Sequence, residues 1–273
     1  PMVVHFHGPW AHEGFVERPN RVSYGLKRAL EKAVYRKADR FIVLSQAFHD
    51  VLAQDYGVPE DRIRIVPGGA DIDRFDIADS REEARRRLGW PTDRPILLAV
   101  RRLARRMGLE NLIGALDQVR REVPDVLLLI AGKGPLAETL QAQIDEGGLE
   151  DHVKLLGYLP DDDLPLAYRA ANLSVVPTVA FEGFGLITVE SLAAGTPVLV
   201  TPVGGLPEVV RDLAPELVFD QSDEEAIADR LTGVLRGNVK LPDAASCRCY
   251  AAKRFDWRTI AAQTRDVYEE VLA

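Results

Sequence analysis

Short β-branched runs alternate along this chain with longer stretches whose apolar positions recur every three or four residues. That is the pattern of βαβ units feeding a parallel sheet. In the first part it predicts strands at Met2–Phe6, Phe41–Leu44 and Arg62–Val66, with helices over Asn20–Ala38 and Ser45–Tyr56. Ser45 suits a helix N-cap and Gly57 a helix stop. The run Pro67-Gly68-Gly69-Ala70-Asp71-Ile72-Asp73-Arg74-Phe75 then breaks the alternation and reads as a linker. Beyond it a helix at Arg81–Leu88 precedes strands at Pro95–Val100, Val126–Ala131, Val153–Leu156, Leu173–Val176, Pro197–Val200 and Leu217–Phe219. Helices are expected between them at Leu109–Glu122, Leu136–Glu146, Asp161–Ala170, Leu186–Ala194, Leu206–Asp212 and Asp223–Leu235, and at the end over Asp243–Arg254 and Asp256–Leu272. The second part is a complete doubly wound unit, with its site expected at the strand carboxyl ends. The first is about half of one. Because the chain opens inside a strand, as a cut gene or trimmed chain would, Met2–Phe6 is expected to be an unpaired edge.

Composition narrows the function classes. Among 273 residues, 34 Lys+Arg stand against 42 Asp+Glu, a net charge of −8 that argues against general nucleic-acid binding. The acidic excess lies beyond Phe75; the first part is nearly neutral. No apolar stretch is long enough to span a membrane, and no signal-peptide pattern opens the chain. The two cysteines, Cys247 and Cys249, make no disulfide framework, which points to a reducing, cytoplasmic compartment. The first helix carries Arg21, Arg28, Lys32 and Arg36 opposite Val22, Leu26, Ala29 and Ala33. Its basic side reads as a solvated face, or as a peripheral contact with an anionic surface such as the inner membrane face.

The chemistry concentrates in Phe181-Glu182-Gly183-Phe184-Gly185-Leu186-Ile187-Thr188-Val189-Glu190, which follows a strand and opens a helix. Gly183 and Gly185 let backbone approach a ligand, and the helix's first turn leaves N–H groups free for a phosphate. Glu182 before the helix and Glu190 within it can accept hydrogen bonds from sugar hydroxyls at two ends of one ligand. Arg101 and Arg102 end another strand, where an arginine points into the ligand crevice and suits phosphate. Gly132-Lys133-Gly134-Pro135, Gly157-Tyr158-Leu159-Pro160 and Gly204-Gly205-Leu206-Pro207-Glu208 are further turns just outside strands.

This ordered set resembles the retaining glycosyltransferases of group 1 (family 4 type), across essentially the whole chain. The Glu-x7-Glu pattern of Glu182 and Glu190 is the most specific element, supported by Arg102 and the Gly132-x-Gly134-Pro135 turn. The resemblance implies an α/β GT-B fold of two Rossmann-like doubly wound domains, the amino-terminal one incomplete. Residues 1–75 would be the acceptor side, 76–255 the nucleotide-sugar domain, and 256–273 a helix packing back on the first domain. It implies that Glu190 holds the ribose and that Glu182 sits by the donor sugar. The amides around Phe184, Gly185 and Leu186 would serve the sugar hydroxyls and phosphate. Arg102 would neutralise the diphosphate, Tyr158 and Leu159 would border the base, and His7 would face the donor sugar. Catalytic roles then fall to Glu182, Arg102 and His7. No metal or cofactor is implied beyond the nucleotide diphosphate sugar, whose base is open. The acceptor would be a glycan, lipid or small molecule, attacked on the face the phosphate leaves, with anomeric retention.

Met107 departs from that pattern, because a lysine commonly precedes the glycine there; Arg106 is the expected substitute. Other readings stay open: a non-catalytic nucleotide-sugar-binding subunit or truncated fragment, or an epimerase or phosphorylase of the same fold. His5-x-His7, with His12-Glu13 nearby, imitates a metal cluster, but no further His or Cys is suitably spaced.

Overall fold

The computed structural model describes residues 1–273. The first part comprises β1 (Val3–Phe6), α1 (Trp10–Glu17), α2 (Arg21–Tyr35), β2 (Arg40–Val43), α3 (Gln46–Asp50), β3 (Ile63–Ile65) and α4 (Ile72–Phe75). The second runs α5 (Arg81–Leu88), β4 (Ile96–Val100), α6 (Leu109–Glu122), β5 (Leu127–Ala131), α7 (Ala137–Glu146), β6 (Val153–Gly157), α8 (Leu164–Ala170) and β7 (Leu173–Val176). It continues with α9 (Leu186–Ala193), β8 (Val198–Val200), α10 (Leu206–Val210), α11 (Glu224–Leu235), α12 (Ala244–Phe255) and α13 (Trp257–Leu272).

Two separate parallel sheets result. The first has the order β1-β2-β3, with Val3 opposite Arg40 and Phe41 opposite Ile63, so β1 has one strand neighbour. The second has the order β6-β5-β4-β7-β8, reversing at β4 as a doubly wound sheet does. Its central strands are unbroken apolar runs, Ile96-Leu97-Leu98-Ala99 and Leu127-Leu128-Leu129-Ile130, because helices cover both faces. They anchor a core of 50 buried residues, against 8 in the main cluster of the first sheet. On the first sheet, alternation sends Phe41 and Val43 to one face and Ile42 to the other, where Ile260 and Val267 of α13 join it. Glu270 of α13 accepts from Arg40 Nε at 3.1 Å and Arg64 Nε at 2.9 Å, so the last helix lies on the first sheet.

The structure departs from the sequence reading in four places. Residues 10–17 form α1, a helix without a side-chain N-cap that packs on α2; the periodicity carried no start signal for it. The helix after Ser45 keeps its cap, the hydroxyl accepting from Phe48 N–H, but turns π-helical over Val51–Asp55. The expected strand at Leu217–Phe219 is only a bridge between Val200 and Val218. The N–H groups of Leu217 and Val218 close on the Ala214 and Pro215 carbonyls in a 3₁₀ turn over Pro215–Leu217, which leaves Phe219 N–H to reach the Val200 carbonyl.

The fourth departure is α2, which is turned the other way round from its pattern. Val22 is 84% exposed, Leu26 64%, Leu30 51% and Val34 44%. The buried side is polar: Glu31 accepts from Tyr56 Oη at 2.8 Å, Tyr24 Oη lies 3.1 Å from His12 Nε2, and Arg28 donates to the Asp55 carbonyl. These side chains find partners beneath the helix, which offsets their desolvation and leaves the apolar ridge in solvent.

Candidate functional site

Every turn singled out in the sequence follows a strand's carboxyl end. Gly108 and Gly185 both adopt left-handed backbone (φ +69° and +78°) immediately before α6 and α9. At Gly108 a Cβ would lie 1.9 Å from the Pro177 carbonyl oxygen, so only glycine lets the start of α6 meet the end of β7. The loop before α9 bears on the first unit, Gly183 lying against Phe48 and the side chains of Phe184 and Leu186 against Gly68. Phe181, the only non-glycine residue with positive φ (50°), turns this loop; its carbonyl accepts from Arg106 Nη1 at 2.7 Å.

At the start of α9 the N–H groups of Phe184, Gly185, Leu186 and Ile187 bond to no backbone carbonyl, while Thr188 N–H closes on Gly185 at 2.8 Å. Unpaired donors at a helix N-terminus suit an anion. The Phe184 side chain itself is buried against Phe255 (5.5 Å between ring centroids), so only its backbone faces the site. Leu186 shares a cavity with His7, Gly68, Gly69 and Trp257, which brings His7 to this helix end from the other unit. His7 stacks on His5 at 6.1 Å, and His5 Nε2 lies 2.7 Å from Tyr268 Oη. Burial, then the neighbouring His7, lowers the His5 pKa.

A second crevice brings Arg102, Tyr158 and Leu159 together with Arg101, Gly132, Lys133 and Asp161. Arg102 is exposed there, and Lys133 Nζ sits 5.4 Å from the centre of the Tyr158 ring. Glu190 is held by Tyr168, whose fully buried side chain donates to Oε2 at 2.9 Å. Burial raises the Glu190 pKa above the usual carboxylate range, against the Tyr168 hydrogen bond; Asp161 of the crevice adds to the rise. Glu182 contacts Arg101, not Arg102: Arg101 Nη2 lies 2.5 Å from Glu182 Oε2 and 2.5 Å from Thr178 Oγ1.

Arg106 lies elsewhere. Its guanidinium is 3.6 Å from Glu13 and 3.9 Å from Glu17, beside the Phe181 carbonyl, and it is not part of the crevice lining. Met107 is buried in the core. The cations that line the crevice are therefore Arg101, Arg102 and Lys133.

Sequence reasoning passed over two residues. Arg101 was visible beside Arg102, but strand alternation alone does not say which of two adjacent arginines meets an acid 81 residues later. Glu13 stands out in the sequence only beside His12, near His5-x-His7; the helix that carries it and its place against Arg106 have no local signal. Burial raises its pKa, Arg106 opposes the rise, and Glu182 and Arg102 are near enough to contribute, so it stands at the rim between the units.

Comparison with known proteins agrees with this geometry. The family described as glycosyl transferases group 1 matches residues 80–254, and glycosyltransferase family 4 matches residues 1–74. A GDP-mannose-dependent alpha-(1-6)-phosphatidylinositol monomannoside mannosyltransferase of Mycolicibacterium smegmatis is 31% identical over 88% of this chain and 64% of its own length. A D-inositol 3-phosphate glycosyltransferase of Xylanimonas cellulosilytica is 35% identical over 88% of this chain and 59% of its own. The chain thus spans less than two thirds of either relative. Anabaena HepE, solved with UDP and glucose, superposes with a TM-score of 0.84 at 26% identity, over 99% of this chain and 72% of HepE. From its two facing parallel sheets to the acid-glycine-acid loop between them, the chain belongs to the group 1 glycosyl transferases and has their GT-B fold.

Proposed function

We propose that this protein moves a hexosyl group from a nucleotide diphosphate sugar to a hydroxyl acceptor, with retention at the anomeric carbon and without a metal. The observation that carries the reading is Glu182 held by Arg101 of the Arg102 crevice, together with the free amides at the start of α9, whose Leu186 lines a cavity with His7. In it, Tyr158 and Leu159 border the base, Glu190 receives the ribose hydroxyls, and Arg102 with the α9 amides takes the diphosphate. Positive side chains and a helix end stabilise a departing diphosphate as a cation would. Glu182 and His7 then flank the sugar, and residues 76–255 hold the donor while residues 1–75 face the acceptor. Residues 256–273 brace the acceptor side through Ile260, Val267 and Glu270.

Thermal-shift screening of UDP-, GDP- and ADP-sugars tests the donor, because a ligand that binds only the folded state raises its melting temperature. A selective sugar nucleotide is expected to stabilise the protein, and Arg102→Ala to remove that shift. A chain stabilised by none of them would refute the reading, and transfer that stops on chelation or inverts the anomeric centre would refute its finer parts. A peripheral contact with an anionic membrane is part of the same proposal. The exposed α2 ridge, bordered by Arg21, Arg36 and Lys37, is what supports it.

A further inference from the structure

Glu182 is anchored at one oxygen only. Its Oε2 takes Arg101 Nη2 at 2.5 Å and faces the Thr178 hydroxyl at 3.5 Å, while Arg101 also donates to that hydroxyl at 2.5 Å. The three groups close a triangle in which Oε1 has no protein donor. The ion pair is largely shielded, with the two side chains 8% and 15% exposed, and Thr178 is fully buried. Both backbones are pinned as well. A Cβ on Gly132 would come within 1.8 Å of the Arg101 carbonyl oxygen, and one on Gly204 within 2.0 Å of the Glu182 carbonyl oxygen. Arg101 N–H donates to Ala131 and Gly205 N–H donates to Glu182, each at 2.9 Å.

We propose that Arg101 is the positioning residue of the donor-sugar subsite: it fixes the Glu182 carboxylate so that Oε1 alone is presented to a sugar hydroxyl. This rests on the donor reading above and adds to it the residue that sets sugar selectivity. The physical case is one of orientation. A glutamate on a loop rotates about three side-chain bonds, and its hydrogen bond to a hydroxyl would carry the entropy of fixing them. A carboxylate already locked by a charge-assisted bond and a threonine hydroxyl has lost that freedom before the ligand arrives. Arg101 lines the crevice but aims its guanidinium at the acid, whereas exposed Arg102 is left for phosphate. The two neighbouring arginines thus have different tasks: one for the charge of the diphosphate, the other for the geometry of the sugar.

The test compares UDP and GDP with UDP-glucose and GDP-mannose by calorimetry on the whole chain. In Arg101→Ala, the nucleoside diphosphate affinity is expected to stay within about twofold of the parent. The added affinity for the sugar conjugate should fall about tenfold, the scale of losing a hydrogen bond to a charged group. Arg101→Lys should restore part of it, since an ammonium can still hold Oε2; unchanged diphosphate binding shows that the variants are folded. Equal losses for diphosphate and conjugate would mean that Arg101 grips phosphate, and no loss at all would mean that Glu182 needs no anchor; either overturns the proposal. A parent chain that binds the diphosphates but gains nothing from the sugar overturns it too. A parent that binds none of the four probes overturns the donor reading itself, a result distinct from the others.

Discussion

Burial without a full set of donors makes Glu190 the most informative single residue. Tyr168 supplies one hydrogen bond, yet desolvation outweighs it and the carboxyl holds its proton more tightly than an ordinary glutamate. The sign of the pH effect follows. Between the usual carboxylate value and the raised one, the folded state binds more protons than the unfolded state, so stability falls as pH rises through that interval. Glu190→Gln removes the group that titrates and keeps an acceptor for Tyr168. The ligand-free Gln variant is expected to lose that decline in melts taken across mildly acidic to neutral pH, and to be at least as stable as the parent at pH 7. An identical pH slope in both proteins would assign the decline to other groups.

Among the elements, α9 and α2 teach opposite lessons. α9 was legible because its start is written in local chemistry: two glycines, a positive φ at Gly185 and an apolar run that cannot be solvated. α2 was legible as a helix, with Asn20 capping Ser23 N–H, but not in its orientation. An amphipathic period says that two faces differ; it does not say which one a polar partner will claim. His12, Tyr56 and the Asp55 carbonyl claimed the side bearing Tyr24, Arg28 and Glu31. The outward ridge gives a prediction at this scale. Leu26→Asp should change stability by less than about 0.5 kcal/mol, as exposed substitutions do, while abolishing sedimentation with phosphatidylglycerol vesicles. A parent chain that fails to sediment with such vesicles would remove the membrane contact from the proposal.

At the scale of the whole molecule, two sheets of unequal core are held face to face by contacts that cross at the site. Glu208, in the first turn of α10, accepts from the N–H groups of Gln46 and Ala47 at 2.7 and 2.9 Å, placing a carboxylate on the first turn of α3. Glu17 receives the N–H groups of Arg105 and Arg106 in the opposite sense, at 3.3 and 3.4 Å. Phe48 packs on Gly183 between them. These contacts bear on how the Arg102 crevice and His7 stand relative to one another. Glu208→Ala should therefore speed hydrogen exchange at Gln46 and Ala47 and increase the radius of gyration in solution scattering, while leaving exchange within β4 and β5 unchanged. Protection at Gln46 and Ala47 equal to that of the parent would show that Glu208 does not hold this helix end.

The sequence by itself determined most of the elements, the parallel order implied by their alternation, and the residue types at each strand end. Those are local properties: periodicity, caps, glycines where φ is positive, apolar runs too long to leave in water. Tertiary structure alone decided the pairings, because they join residues far apart in the chain. Arg101 rather than Arg102 on Glu182, Arg106 drawn to Glu13 and Glu17, and Glu208 on α3 all depend on where packing places one unit against another. A buried charge takes the partner that geometry brings within reach, and no spacing along a single strand or helix contains that distance.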